Sequence, residues 1–268
     1  MPPPSRFWAD LATTDFAALD PATTVAVLPV AATEQHGPHL PLRVDQCLVD
    51  GIVAQALAQL PPAASVLVLP TQQVGYSPEH AQFPGTLSLP VDTMIATWVA
   101  LGECVARAGL RKLLLFNSHG GQASLLDIVA RELRVRCKLI VYGSSWWNLP
   151  LGDEVNGRFS ADEHRFGVHA GQIETSLMLA LAPDTVRMAR ARDFPSSSRE
   201  RAAGYPILGN GRSAKLGWAM QDYNPQGAAG NAAAADAAHG QAVLEAAGRQ
   251  LALLLQEIAA LPLSTLAP

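Results

Sequence analysis

Short, continuous apolar runs alternate with longer stretches whose apolar residues recur every three to four positions. Val25-Ala-Val-Leu-Pro-Val30, Ser65-Val-Leu-Val-Leu-Pro70, Lys112-Leu-Leu-Leu-Phe116 and Lys138-Leu-Ile-Val-Tyr142 have strand length and polar, Gly or Pro borders. Runs without polar alternation predict strands buried on both faces. Helical patterns lie between them. Gln46–Leu60 is closed by Pro61-Pro62, Val91–Ala108 follows Pro90 and stops at Gly109, and Gln122–Val135 has Leu125, Leu126, Val129 and Leu133 on one face. Strand and helix in alternation predict a three-layer α/β/α sandwich on a mainly parallel central sheet.

Beyond Tyr142 the pattern loosens. Gly143–Val168 reads as long loops, His169–Leu181 as helix, 192–227 as irregular chain, and Ala228–Leu261 as an Ala/Leu helix with an Ala-rich start. No repeat and no linker interrupts the chain, so one domain over 1–268 is expected.

Composition narrows the function. The net charge is −4 and no long basic stretch occurs, which argues against nucleic acid as a partner. Every apolar window is far shorter than a membrane span, and the N-terminus lacks a basic stretch followed by an apolar one. Cys47, Cys104 and Cys137 form no CxxC pair and read as free, buried thiols. A cytoplasmic protein without membrane contact is the expectation.

In open α/β sheets, sites form where strands end. The first strand runs into Glu34-Gln-His36-Gly-Pro-His39 and on to Asp45, the second into Ser77-Pro-Glu79-His80, and the third into Asn117-Ser-His119-Gly120-Gly121. Glu34 and His36, two residues apart on extended backbone, point to one side, as a shared metal requires. Asp45 opens the next helix and can fold back toward them. A surface ion pair and a helix cap would account for the same residues. The Gly-rich turn either presents His119 to a ligand or is a plain structural turn. Glu174, five residues after His169, sits where a helix start favours a carboxylate in any case. Trp146-Trp147 end the fourth strand as a substrate wall or as packing. Ser77, His80, Gly120 and Trp147 are the residues expected to meet a substrate. No GxSxG elbow and no phosphate loop is present.

The block Glu34-Gln-His-Gly-Pro-His-Leu-Pro-Leu-x-x-Asp45 resembles the signature of the creatininase, or creatinine amidohydrolase, family. The resemblance continues through Gly75–Ser88, Asn117–Gly121 and His169-Ala-Gly-x-x-Glu-Thr-Ser176, and faintly in Gly227–Asn231. It implies a layered α/β/α fold, a two-metal centre, hydrolysis of cyclic or linear amides and a homo-hexamer. By position, Glu34, His36, Asp45, His119 and Glu174 match metal ligands, with Asp45 the bridging carboxylate. Glu34 and His119 would hold one ion, and His36 and Glu174 the other. His169 matches a position beside the reacting amide and, with Glu174, is the expected catalytic pair: a metal-activated water attacks and His169 relays the proton. Oxygen and nitrogen ligands without thiolate suit two divalent ions of Zn, Mn or Fe.

Departures from the pattern bear on the substrate. Creatininase itself has an acid two positions after the third-block His. Here Gly121 stands there, so the ligand is expected from Glu174. The expected flap, Arg158–Val168, carries Phe159 and Phe166 but no Trp, and Gln122 and Gln172 replace frequent Asn and Glu. A peptidase or formamide deformylase on the same fold is the first alternative, and a non-catalytic metal- or ligand-binding protein the second.

Overall fold

The computed structural model describes residues 3–267. The expectation of one domain over 1–268 extends to Met1, Pro2 and Pro268, which lie outside the described residues. In chain order the first half reads β1 (Val25–Val30), α1 (Val44–Gln59), β2 (Val66–Val68), α2 (Val91–Arg107), β3 (Lys112–Asn117), α3 (Ala123–Cys137) and β4 (Ile140–Ser145). The strands pair in parallel in the order β2-β1-β3-β4. Alternate side chains of β1 feed two cores. Val25 and Val27 pack with α1, and Ala26, Leu28 and Val30 with α2 and α3. The three-layer α/β/α sandwich follows from that alternation.

The second half holds α4 (Asp153–Asn156), α5 (Ala161–Phe166), α6 (Gln172–Leu181), β5 (Asp193–Phe194), α7 (Ser198–Gly204), α8 (Met220–Tyr223), β6 (Gly230–Asn231) and α9 (Ala237–Ala260). Helices α6 and α9 join α1 on the first face of the sheet. Among the described residues, no helix is long and apolar enough to cross a membrane.

Four sequence expectations are corrected. β4 is not buried on both faces: it is the last strand of its sheet, and Tyr142 and Gly143 are exposed. It also runs on to Ser145, because its pairing with β3 outlasts its apolar run. The long helix does not begin at Ala228. Ala229 exchanges backbone hydrogen bonds with His169, Gly230 adopts φ 135°, and the helix starts only where Asp236 accepts from the Ala238 and His239 amides. Tertiary pairing there outweighs the helix propensity of alanine. For the same reason α6 begins at Gln172, leaving His169 in a short bridge.

One charged side chain enters the core. Lys112, fully buried at the start of β3, donates from Nζ to the carbonyls of Ala259 and Leu261, both at 2.6 Å. The ammonium thereby meets the partial negative charge at the end of α9.

Candidate metal centre

β1, β3 and β4 end in step: Val30 pairs with Asn117, and Asn117 with Ser145. The loops that follow therefore leave the sheet at one level. Gln122 ties them together. Its amide donates to the Ala31 carbonyl at 3.2 Å and to Asn117 Oδ1 at 3.0 Å, while its oxygen accepts from the Tyr76 amide at 3.2 Å. Asn117 donates to the His119 carbonyl at 2.7 Å and to Ser145 Oγ at 2.9 Å. After β1, the Glu34 amide donates to the Leu42 carbonyl and Gly37 takes φ 64°, folding the loop so that Asp45, in the first turn of α1, returns beside Glu34.

The structure gathers Glu34, His36, Asp45, His119, His169 and Glu174 around one point. Two triplets of ligand atoms lie within 4.8 Å of one another and share a residue: Glu34, Asp45 and His119, and His36, Asp45 and Glu174. Within them, His36 Nε2 is 3.4 Å from Asp45 Oδ1, and His119 Nδ1 is 3.2 Å from Glu34 Oε2 and 3.5 Å from Asp45 Oδ2. Glu34, His36 with Glu79, His80 and His169 supply two further triplets, Glu34–His36–His169 and Glu34–Glu79–His80.

Hydrogen bonds fix which ring nitrogen is free. His36 Nδ1 donates to the Glu34 carbonyl at 3.0 Å, so Nε2 is the nitrogen that faces the cluster. His119 Nε2 donates to the Tyr76 carbonyl at 3.0 Å, which leaves Nδ1. His169 Nε2 donates to the Gln35 carbonyl at 2.8 Å and likewise leaves Nδ1, 3.9 Å from Glu34 Oε1. His80 is the exception. Gln35 Oε1 accepts from the Gly37 amide, so its Nε2 donates to His80 Nδ1 at 2.7 Å. His80 Nε2 then carries the proton and points it at Glu34 Oε1, 3.4 Å away. It is a donor toward the site rather than a ligand.

The donor set fits a cation. Glu34 Oε2, His36 Nε2 and Asp45 Oδ2 are buried atoms without hydrogen-bond partners. Leaving such groups unpaired is expensive unless a cation meets them. The protonation pattern points the same way. Burial opposes charging His36, yet Asp45, Glu174 and Glu34 raise it to about 9. His119 is likewise raised against burial, by Glu34 and other carboxylates. Burial lifts Glu174 to about 7 and raises Asp45 also. Without a metal, protons hold these carboxylates together. Burial depresses His80 to about 4 and holds His169 well below the ordinary histidine value, so both rings are neutral near pH 7.

A cavity of about 700 Å³ opens on this cluster. His80, Gly120 and Trp147, three of the four residues expected to meet a substrate, line it. Ser77 is fully buried, and its Oγ sits 3.2 Å from His119 Nε2, behind the ring. Sequence reasoning missed three other wall residues. Trp218, from the irregular stretch, has its ring 6.4 Å from that of His80. Glu163 is buried and accepts from the Gln172 and Asn231 amides, so it caps α6 and orders the loop before α9. Glu79 Oε1 lies 3.3 Å from His119 Nε2.

Glu79 accounts for Gly121. A Cβ at Gly121 would stand 1.8 Å from Glu79 Oε1 and 2.7 Å from His119 Nε2. That space is filled instead by a carboxylate from the preceding loop, whose Oε1 is itself buried without a hydrogen-bond partner and which forms a triplet with Glu34 and His80. Glu174 lies with His36 and Asp45. Its Oε2 also accepts from the Ala170 amide at 2.6 Å, so it serves the helix start and the cluster together. Gly121→Ala is expected to push His119 out of register. Zinc bound per chain, measured by elemental analysis, should fall by about half or more while circular dichroism stays unchanged.

Comparison with known proteins identifies the family. The sequence model of the creatininase family, described as creatinine amidohydrolase, matches residues 9–255. A creatinine amidohydrolase of Pseudomonas putida is 33% identical over 193 residues, 65% of this chain and 70% of that one. A mycofactocin precursor peptide peptidase of Mycobacterium tuberculosis is 32% identical, over 62% of this chain and 62% of its own length. A mutant creatininase of Zn-Zn type superposes with TM-score 0.75 at 28% identity, covering 94% of this chain and 98% of that chain. A manganese creatininase gives the same score.

Proposed function

The chain belongs to the creatininase family, and on that premise we propose that it hydrolyses the C–N bond of an amide at a centre holding two divalent cations. The observation that carries this reading is Asp45: its carboxylate belongs to both ligand triplets, and its Oδ2 has no other partner. Glu34 and His119 complete one set, His36 and Glu174 the other. Cations bound there, Zn or Mn by analogy with creatininases, would polarise the amide carbonyl and acidify water near neutral pH.

The chain's own residues do the rest. His169, neutral with its lone pair at Nδ1, takes the proton of the attacking water and passes it to the leaving nitrogen as the C–N bond breaks. His80 Nε2–H holds Glu34 in orientation, itself fixed by Gln35. Trp146, Trp147 and Trp218 wall the cavity and offer flat apolar faces to the substrate.

Dialysis against a chelator is expected to abolish amide hydrolysis, and stoichiometric Zn or Mn to restore it. Full activity in chelated protein, confirmed metal-free by elemental analysis, would overturn the reading. A peptidase is the second reading, favoured by the size of the cavity and by the 32% identical peptidase. Turnover of creatinine, N-formyl amines and short peptides separates these. Metal bound at two per chain with no turnover on any of them would make the protein a binder.

A further inference from the structure

The metal end of the cavity is acidic and imidazole-rich, but its other end is different. A second hollow of about 270 Å³ adjoins it, and Val168, Gly211, Lys215 and Trp218 line both. Arg165, Arg201 and Lys215 line this annex, and no Asp or Glu does. The chain as a whole carries more acids than bases, 23 against 19, so three cations around one small hollow are not a reflection of composition.

These cations are not used up in the protein. Among the described residues, none of the three lies within 4.0 Å of a carboxylate, whereas nearby Arg158 and Arg199 both do. Arg201 is the most built of them. Its guanidinium stacks 4.8 Å above the Tyr223 ring, and Nη1 donates to Ser197 Oγ at 3.0 Å. Nη2 is buried and has no partner at all. Arg165 is held 4.9 Å over the Phe166 ring and donates to the Gly209 carbonyl at 3.3 Å. Guanidiniums stacked on aromatic faces, with donors left over, are preorganised for an oxyanion with two acceptor oxygens. Polar donors from Asn210 and Ser198 complete the lining.

We propose that the annex binds a carboxylate on the substrate, so that the amide processed here belongs to a molecule with an anionic end. This inference rests on the hydrolase reading only for the word "processed"; the binding site itself stands on the annex. The amide would lie among Glu34, Asp45, His119 and His169, pass Trp218, and place its carboxylate between Arg201 and Lys215. Creatinine, a compact ring without a carboxylate, would leave the annex unfilled.

The test is equilibrium binding to zinc-loaded protein by calorimetry, which needs no turnover. The probes are N-acetyl derivatives of glycine, β-alanine, 4-aminobutyrate and 6-aminohexanoate, a ladder of spacings, each paired with its neutral methylamide. At least one acid is expected to bind about tenfold or more tightly than its methylamide. Arg201→Gln and Lys215→Met, separately and together, are expected to erase that preference while leaving methylamide affinity and zinc content unchanged. Equal binding of acids and methylamides across the ladder overturns the proposal, as does a preference that survives the double variant. If the preference is present but no probe or other amide is hydrolysed, the annex stands and the hydrolase reading fails. If amides are turned over with no preference for the acid, the reverse holds.

Discussion

Asp45→Asn is expected to lower kcat by more than any other single substitution in the chain, because it removes a ligand from both triplets at once. Loss of a group that merely hydrogen-bonds a ligand costs ~10–100-fold. Loss of the shared carboxylate should exceed that, to on the order of a thousandfold or more. The substitution keeps the shape of the side chain and lies in the first turn of α1, so the fold should persist. Ser118 Oγ donates to the Asp45 backbone carbonyl at 2.8 Å, a bond that the change leaves in place. If the centre holds two cations as proposed, metal content should fall from two ions to one or none. Wild-type kcat with reduced metal would show that a single ion suffices and would remove the bridging role. Glu174→Gln offers the contrast: it strips a ligand from one triplet only, so one ion should remain.

The second large effect concerns stability without metal. In the folded, chelated protein His36 has its pKa raised from 6.5 to about 9, against burial and through its carboxylate neighbours. Its contribution is complete below pH 6.5 and is lost as pH rises through 9. Glu174, raised by burial from 4.5 to about 7, contributes below pH 4.5 and has lost that contribution by pH 7. His39 and His80, depressed by burial to about 4, act in the opposite direction. Their contribution is complete above pH 6.5 and is lost as pH falls toward 4. The chelated protein should therefore be most stable near pH 6.5. Between pH 6.5 and 9 it should lose on the order of 3 kcal/mol from His36 alone, a fall in Tm of roughly 6–12 °C. Zinc replaces the protons, so the zinc-loaded protein should hold its Tm across that range and lose its metal in acid. Thermal melts at several pH values, with and without chelator, check this. A chelated protein whose Tm climbs from pH 6.5 to 9 would mean that the cluster does not depend on protons when empty.

Much of this was legible before any coordinates. The apolar runs named the strands because a parallel sheet covered on both faces needs them, and β1 and β3 are buried throughout. β4 was named too, but its exposed residues and its run to Ser145 were not, because an edge strand needs apolar residues on one side only. The start of α9 was misplaced because Ala229, Gly230 and Asn231, ahead of its cap, pair with residues between 163 and 194, which no local propensity reports. Within the site, Glu34 and His36 could be paired from their spacing on extended chain, and Asp45 from its place at the next helix start. Glu79 and Trp218 could not be read in this way. Glu79 joins the cluster only because the loop after β2 folds against His119 and His80, and Trp218 only because an irregular segment folds over the cavity. The protonation of His80 was out of reach as well, since it depends on which way Gln35 faces.

Lys112 carries a consequence for how the protein is handled. Its ammonium is hydrogen-bonded by carbonyls at the end of α9, with the Asp20 carboxylate also acting on it, at the end of the strand opposite the candidate metal cluster. The final turn of that helix is thus the counter-charge for the central strand, and a protease cut or a fusion junction placed before Ala259 would strand a buried cation beneath β3. The damage would begin far from the loops of the candidate site, yet it would reach them through the strand whose other end carries His119.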